Sequence, residues 1–220
     1  YNYWYVAALA TEITRDLMER TILNRSLVMY RDEADNVVIL QNRCAHRSFP
    51  LASSKLEEGG IRCRYHGIKY DHDGNITDVP CQDKCPKTKI KKYVTKETGP
   101  VVWVWMGDPS LADEALIPDF HWNDDPDWVA VGDYFYVKGS YRLLIDNLLD
   151  LSHICFTHAG ILGNPDTAET DPDVTVENDT VTVSRYSEDA ETPGMIKMFT
   201  DDPELQARGE QWTSITWYPA

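Results

Sequence analysis

The chain has 220 residues and a mass of 25.2 kDa, with 42% hydrophobic and 26% charged residues, which is ample for a buried core and excludes a disordered or low-complexity polypeptide. Its 21 Lys and Arg stand against 36 Asp and Glu, a net charge of −15, so no nucleic-acid partner is expected, because phosphate neutralisation needs a cationic surface. A mean hydropathy of −0.44 and the lack of a long apolar run argue against a membrane span, and five irregularly spaced cysteines suit a reducing cytoplasm better than a disulfide framework.

From Tyr3 to about Pro109, short β-type runs such as Ser26-Leu-Val-Met-Tyr30, Asn36-Val-Val-Ile-Leu40 and Pro100-Val-Val-Trp-Val-Trp105 alternate with turn signals at Glu58-Gly59-Gly60 and Asp73-Gly74-Asn75. They predict a small antiparallel β domain over residues 1–110. A proline-broken stretch with Pro109, Pro118 and Pro126 follows as a boundary, and a second domain is expected over 111–220. There, Leu144, Leu148 and Leu151 predict a helix over Tyr141–Ile154. Two alternating runs around Asn178-Asp179 predict a hairpin over Val174–Val183, and Gln211–Trp217 reads as a further strand.

In the first domain, Cys44-Ala-His46 and Cys63-Arg-Tyr-His66 form C-x-H and C-x-x-H with sixteen residues between them. Two thiolates and two imidazoles on two loops are a metal-ligand set, and the choice lies between zinc and an iron–sulfur cluster. Structural zinc sites usually pair like ligands along one loop. Here each loop carries one Cys and one His, which suits two irons, one taking both Cys and the other both His. His72, in Tyr70-Asp-His-Asp73, reads as a solvated turn residue, and Cys81 and Cys85, spaced C-x3-C, read as free thiols. Lys84, Lys87, Lys89, Lys91, Lys92 and Lys96 form a cationic stretch, either a docking surface for an acidic electron donor or a solvated face.

In the second domain, Asn147, Asp150 and His153 are spaced i, i+3, i+6 along one side of the predicted helix, and His158 follows His153 by five residues. On an unbroken helix that spacing leaves the two imidazoles about 140° apart, so they face one ion only if the helix breaks near Phe156. From the residues alone, the end of a packed amphipathic helix is an equally open reading.

The segments Cys44-Ala-His46-Arg47-Ser-Phe-Pro-Leu51, Cys63-Arg-Tyr-His66-Gly67, Trp4-Tyr-Val6, Gly99–Trp105 and the N-x-x-D-x-x-H-x4-H run from Asn147 to His158 together resemble the oxygenase subunit of the Rieske non-haem iron aromatic oxygenases, in the vanillate O-demethylase and dicamba monooxygenase branch. The resemblance implies an α+β chain: an antiparallel β Rieske [2Fe-2S] domain, then a catalytic domain of helix plus antiparallel sheet that is incomplete at its C-terminus. Cys44, His46, Cys63 and His66 would hold the cluster, and His153 and His158 a mononuclear non-haem Fe(II). The third iron ligand, an Asp on a later helix, is expected beyond Ala220, with neither Asp201 nor Asp202 assigned to it. Asp150 would bridge toward a cluster histidine of a neighbouring subunit in a homotrimer, and Asn147 would lie near the iron.

Electrons would come from NAD(P)H through a separate reductase or ferredoxin. The substrates would be O2 and an aromatic small molecule, hydroxylated on a methoxy group to give a phenol and formaldehyde. The alternatives are ring dihydroxylation, a Rieske-type electron carrier without catalysis, and a zinc-binding interaction module.

Overall fold

The computed structural model describes residues 1–123, 125–129, 131 and 135–218, and the chain divides into two units, Tyr1–Asp133 and Tyr134–Pro219.

The first unit is built from ten short antiparallel strands. They are β1 (Trp4–Leu9), β2 (Met18–Ile22), β3 (Arg25–Arg31), β4 (Val37–Gln41), β5 (Lys55–Glu57), β6 (Gly60–Arg62), β7 (Lys69–Tyr70), β8 (Ile76–Asp78), β9 (Val94–Thr98) and β10 (Val101–Trp105). They form three sheets, in the orders β2-β3-β4, β5-β6-β7-β8 and β1-β10-β9. The strands expected at 26–30, 36–40 and 100–105 are β3, β4 and β10, to within a residue or so.

Leu27, Val28, Met29 and Tyr30 are all fully buried, because both faces of β3 are covered. Val28 and Tyr30 join one core with Leu40, Leu51, Ile61, Tyr70 and the two thiols Cys44 and Cys63. Leu27 and Met29 join a second core with Ile39, Val102 and Val104. A strand sandwiched in this way loses polar alternation, which is why its sequence is a continuous apolar run. The segment after β10 also belongs to this unit. Asp108 and Asp113 cap short 3-10 turns at Pro109–Leu111 and Glu114–Leu116, and Trp4 Nε1 donates to the Asp113 carbonyl at 2.7 Å.

The second unit opens with α1 (Tyr141–Leu149), whose N-cap is Ser140, and continues through α2 (Ile154–Thr157), α3 (Pro165–Glu169), β11 (Asp173–Glu177), β12 (Thr180–Ala190), α4 (Gly194–Phe199), α5 (Pro203–Gln206) and β13 (Gly209–Trp217). The sheet order is β11-β12-β13. The expected hairpin is β11–β12. Asn178 and Asp179 both take positive φ, 47° and 67°, as the tight two-residue turn between Glu177 and Thr180 requires.

The helix expected to run to Ile154 ends five residues earlier. Asp150 takes an extended conformation, φ −107° and ψ 96°, because its carboxylate accepts from the Ser152 amide at 3.0 Å and starts a new 3-10 turn, Leu151–His153. An Asp that can cap the next turn competes with continuation of its own helix. Asn164 is another buried polar pin in this unit: it caps α3 through Thr167 and donates to the Glu191 carbonyl.

Candidate metal centres

The two Cys/His loops of the first unit share one backbone design. In each, the cysteine amide donates to the carbonyl five residues on, and the cysteine carbonyl accepts from the amide four residues on. The pairs are Cys44 with Phe49 and Ser48, and Cys63 with Ile68 and Gly67, at 2.8–2.9 Å throughout. The fourth position turns through positive φ in both loops, 59° at Ser48 and 75° at Gly67. A Cβ at Gly67 would also meet Pro80 Cγ at 2.8 Å, so the second loop favours glycine where the first tolerates serine, the difference being its packing against Pro80.

This folding buries the thiols and exposes the imidazoles. Cys44 and Cys63 are 3% and 1% exposed, whereas His46 and His66 lie at the surface with ring centroids 4.6 Å apart. An open groove of about 310 Å³ runs beside the two rings, lined by Ala45, Ile68, Val79 and Pro80 among others. Tyr70, fully buried, places its hydroxyl 3.1 Å from Cys44 Sγ and accepts from the Ala45 amide at 2.9 Å. Burial pushes the Cys63 thiol up, the backbone amides of Tyr65 and His66 pull it down, and neighbouring Cys44 raises it again. Burial, then the bond to Cys44, raises the Tyr70 phenol.

Buried thiols disfavour ionisation on their own and give up their protons readily to a metal. Among the described residues no three His, Cys, Asp or Glu side chains converge on a single ion. The four donors form two pairs, sulfur inside and nitrogen outside, and that arrangement fits a [2Fe-2S] cluster with one pair to each iron.

His72 corrects the expectation of a solvated residue. Its ring is half-buried and bridges two hairpin turns: Tyr30 Oη lies 3.0 Å from Nδ1, and Glu33 Oε2 lies 2.8 Å from Nε2. Glu33 also pairs with Arg15 at 3.1 Å and accepts from the Gly59 amide. Its own amide, then His72, holds the Glu33 carboxyl down to about 2. A depressed carboxyl contributes stability above its unfolded value of 4.5 and loses it as pH falls toward about 2. Thermal melts should therefore show wild type above Glu33→Gln at pH 5 and higher, with the gap closing between pH 4.5 and about 2. A gap that persists at pH 2 counts against this latch.

In the second unit the break at Asp150 brings two histidines together. His153 is half-buried, His158 is exposed just after α2 with φ −119° and ψ 32°, and their ring centroids are 5.8 Å apart, edge to face. The break expected near Phe156 thus comes at both ends of the short α2 instead.

His153 Nδ1 lies 2.7 Å from the Asp150 carbonyl, which only accepts, so Nδ1 carries the proton and Nε2 is left with its lone pair. Asn147 Nδ2 sits 3.3 Å from that Nε2. Asp150 orients His153 through its backbone, and its carboxylate is engaged elsewhere, by Ser152 and by Arg185 at 3.6 Å. Ser152 first, then the charge of Arg185, holds that carboxyl below the usual range. Two imidazoles with one tautomer fixed fit part of an iron site of the two-His, one-carboxylate kind. Sequence reasoning missed Tyr70 and Arg185, which lie 26 and 35 residues from the groups they touch and carry no local signal.

Comparison with known proteins follows the same division. The Rieske [2Fe-2S] domain profile matches residues 3–94, and the vanillate O-demethylase oxygenase C-terminal domain profile matches residues 137–220. The chain is 36% identical to the toluene-4-sulfonate monooxygenase system iron-sulfur subunit of Comamonas testosteroni, over 99% of this chain and 63% of that protein. It is 36% identical to a vanillate O-demethylase oxygenase subunit of a Pseudomonas species, over 87% of this chain and 54% of that one.

Among solved structures, dicamba monooxygenase bound to 3,6-dichlorosalicylic acid superposes with a TM-score of 0.88 at 30% identity, over 99% of this chain and 64% of that one. The chain therefore spans less than two thirds of the length of these relatives.

Proposed function

We propose, from the premise that the chain belongs to the Rieske non-haem iron aromatic oxygenases, that it is the oxygenase component of an O2-dependent monooxygenase and removes the methyl group of a methoxy-aromatic such as vanillate. The observation that carries this reading is the presence on one chain of two separate histidine pairs, one with buried thiols and one beside Asp150 and Asn147. An electron carrier needs only the first.

When bound, the cluster relays single electrons and the ferrous ion activates dioxygen. Cys44 and Cys63 would anchor the cluster in the core, with Tyr70 and the loop amides donating toward sulfur. His46 and His66 would present its outer edge to the surface. His153 and His158 would hold the iron through the nitrogens left unprotonated, and Asn147 would release Nε2 of His153 as iron binds. A hydroxylated methoxy group is a hemiacetal, which collapses to a phenol and formaldehyde, and the balance consumes O2, two electrons and two protons with water as co-product. Released formaldehyde equimolar with phenol tests this reading; a cis-diol would assign ring dihydroxylation instead.

We assign the working form as a homotrimer in which the exposed histidine edge of one copy meets the Asp150 turn of the next. Charge supports the contact: residues 43–92 carry 11 Lys and Arg against six Asp and Glu, whereas residues 134–219 carry five against 15. No helix among the described residues is long and apolar enough to cross a membrane. A reducing cytoplasm suits a chain that uses Cys44 and Cys63 for a cluster and keeps Cys81, Cys85 and Cys155 as free thiols.

Electrons would arrive from a separate reductase or ferredoxin. Of the lysine stretch, Lys91 lies over the Tyr93 ring at 4.6 Å, Lys92 pairs with Asp73 and Lys96 with Glu114. Lys84, Lys87 and Lys89 are exposed and make no ion pair among the described residues, so they are the ones left to meet an acidic donor. Reversing all three to Glu should lower the association rate with the donor by about tenfold at low ionic strength and flatten its salt dependence. An unchanged rate sinks the docking assignment.

A further inference from the structure

We propose that Arg185 is a positioning residue that fixes the Asp150 carboxylate at the place where electrons pass, an inference that rests on the bridging role proposed for Asp150. Arg185 lies on β12, and its side chain is only 10% exposed, whereas that of Asp150 is 67% exposed. One guanidinium nitrogen, Nη1, donates to the Thr167 carbonyl at 3.2 Å and also to the Thr170 carbonyl at the end of α3. The other, Nη2, reaches Asp150 Oδ1 at 3.6 Å. Nε is buried with no hydrogen-bond partner among the described residues.

A buried guanidinium bound only to carbonyls is poorly compensated and needs an anion. Among the described residues Asp150 is the one carboxylate within ion-pair distance of it. An ordinary surface pair joins two mobile side chains and is worth little. Here the cation is pinned from inside by α3, so its position is set by the fold and it dictates where an otherwise exposed carboxylate rests.

The Ser152 amide holds the same oxygen, Oδ1, at 3.0 Å. Both contacts therefore fall on one side of the carboxylate, and Oδ2 is the oxygen an imidazole N–H from a second copy would take. Backbone and side chain of Asp150 then have separate duties. The carbonyl fixes the His153 tautomer, and the carboxylate, aimed by Arg185, faces the partner.

The test compares Arg185→Gln, Arg185→Lys, Asp150→Asn and the Arg185→Gln/Asp150→Asn double variant. In the assembled holoenzyme, single-turnover reoxidation of the cluster, followed by its visible absorbance, should slow about tenfold in Arg185→Gln at unchanged iron content. Arg185→Lys should restore part of the rate, and the double variant should be no slower than Asp150→Asn. Without metals, hydrogen exchange at the Ser152 amide should rise about tenfold in Arg185→Gln while the β11–β12 amides keep their protection.

A slow Asp150→Asn beside a normal Arg185→Gln, unchanged Ser152 exchange, or effects that multiply in the double variant would overturn the proposal while leaving the bridge intact. A normal Asp150→Asn would remove the bridging role itself, and the proposal with it. If Arg185→Gln does not fold, Arg185→Lys carries the test, because lysine cannot reach the carbonyls and the carboxylate together. A rate slowed severalfold and non-additive with Asp150→Asn supports the proposal, and a normal rate overturns it.

Discussion

Replacing Cys63 by Ser should abolish the visible absorbance of the cluster, whereas replacing His153 by Ala should leave that absorbance intact and reduce turnover to background. Cys63 is 1% exposed, and the nearby backbone amides of Tyr65 and His66 favour its thiolate. A serine hydroxyl there is harder, far less acidic and a poor partner for iron, so the two-sulfur side of the site is lost. His153 belongs to the second unit, on a turn organised by Asp150 and Asn147, and its removal leaves both Cys/His loops untouched. Absorption spectra and product yields on the same preparations separate the two effects. Equal loss of the cluster spectrum in both variants, with folding preserved, would show that the two centres are not independent.

Asp150→Asn should retain both metals and slow electron delivery to the second centre by about ten- to a hundredfold, the usual cost of losing a group that supports a metal ligand. The amide keeps the size of the carboxylate and its oxygen can still cap Ser152, so the fold at the helix break is preserved. It cannot supply the negative charge that compensates buried Arg185 or strengthens a hydrogen bond to an imidazole N–H. Stopped-flow reoxidation of the prereduced cluster, with iron content measured in parallel, reads this directly. Transfer at the wild-type rate would reduce Asp150 to a structural cap.

What was legible in the sequence is what local chemistry writes. Asn178 and Asp179 announce a tight turn because both tolerate positive φ, and the hairpin follows from two residues. The apolar run Leu27–Tyr30 announces a strand because β3 is covered on both faces. The Cys and His spacings announced a matched pair of loops, although their shared backbone design did not show, since His46 stands two residues after its cysteine and His66 three.

The helix end was misplaced because Leu144, Leu148 and Leu151 keep their periodicity across a break that Asp150 makes with its own side chain. His72, Tyr70 and Arg185 were illegible for a different reason. Each meets its partner across 26 to 42 residues, and only the tertiary fold brings the groups together.

The contact of Gly67 with Pro80 bears on how such a protein changes over evolutionary time. The Cys63–Gly67 loop and the loop that carries Lys84 and Lys87 share an interior surface at that point, with no room for even a methyl group. Insertions or deletions next to Pro80 would reach the backbone of the Cys63–Gly67 loop at once. Exchange of the outward-pointing side chains would not. On the docking role proposed for Lys84, Lys87 and Lys89, a lineage that adopts a different electron donor is free to rewrite charges at 84, 87 and 89 and constrained to keep the path of the chain. Donor preference should drift by substitution, with loop length held constant around it.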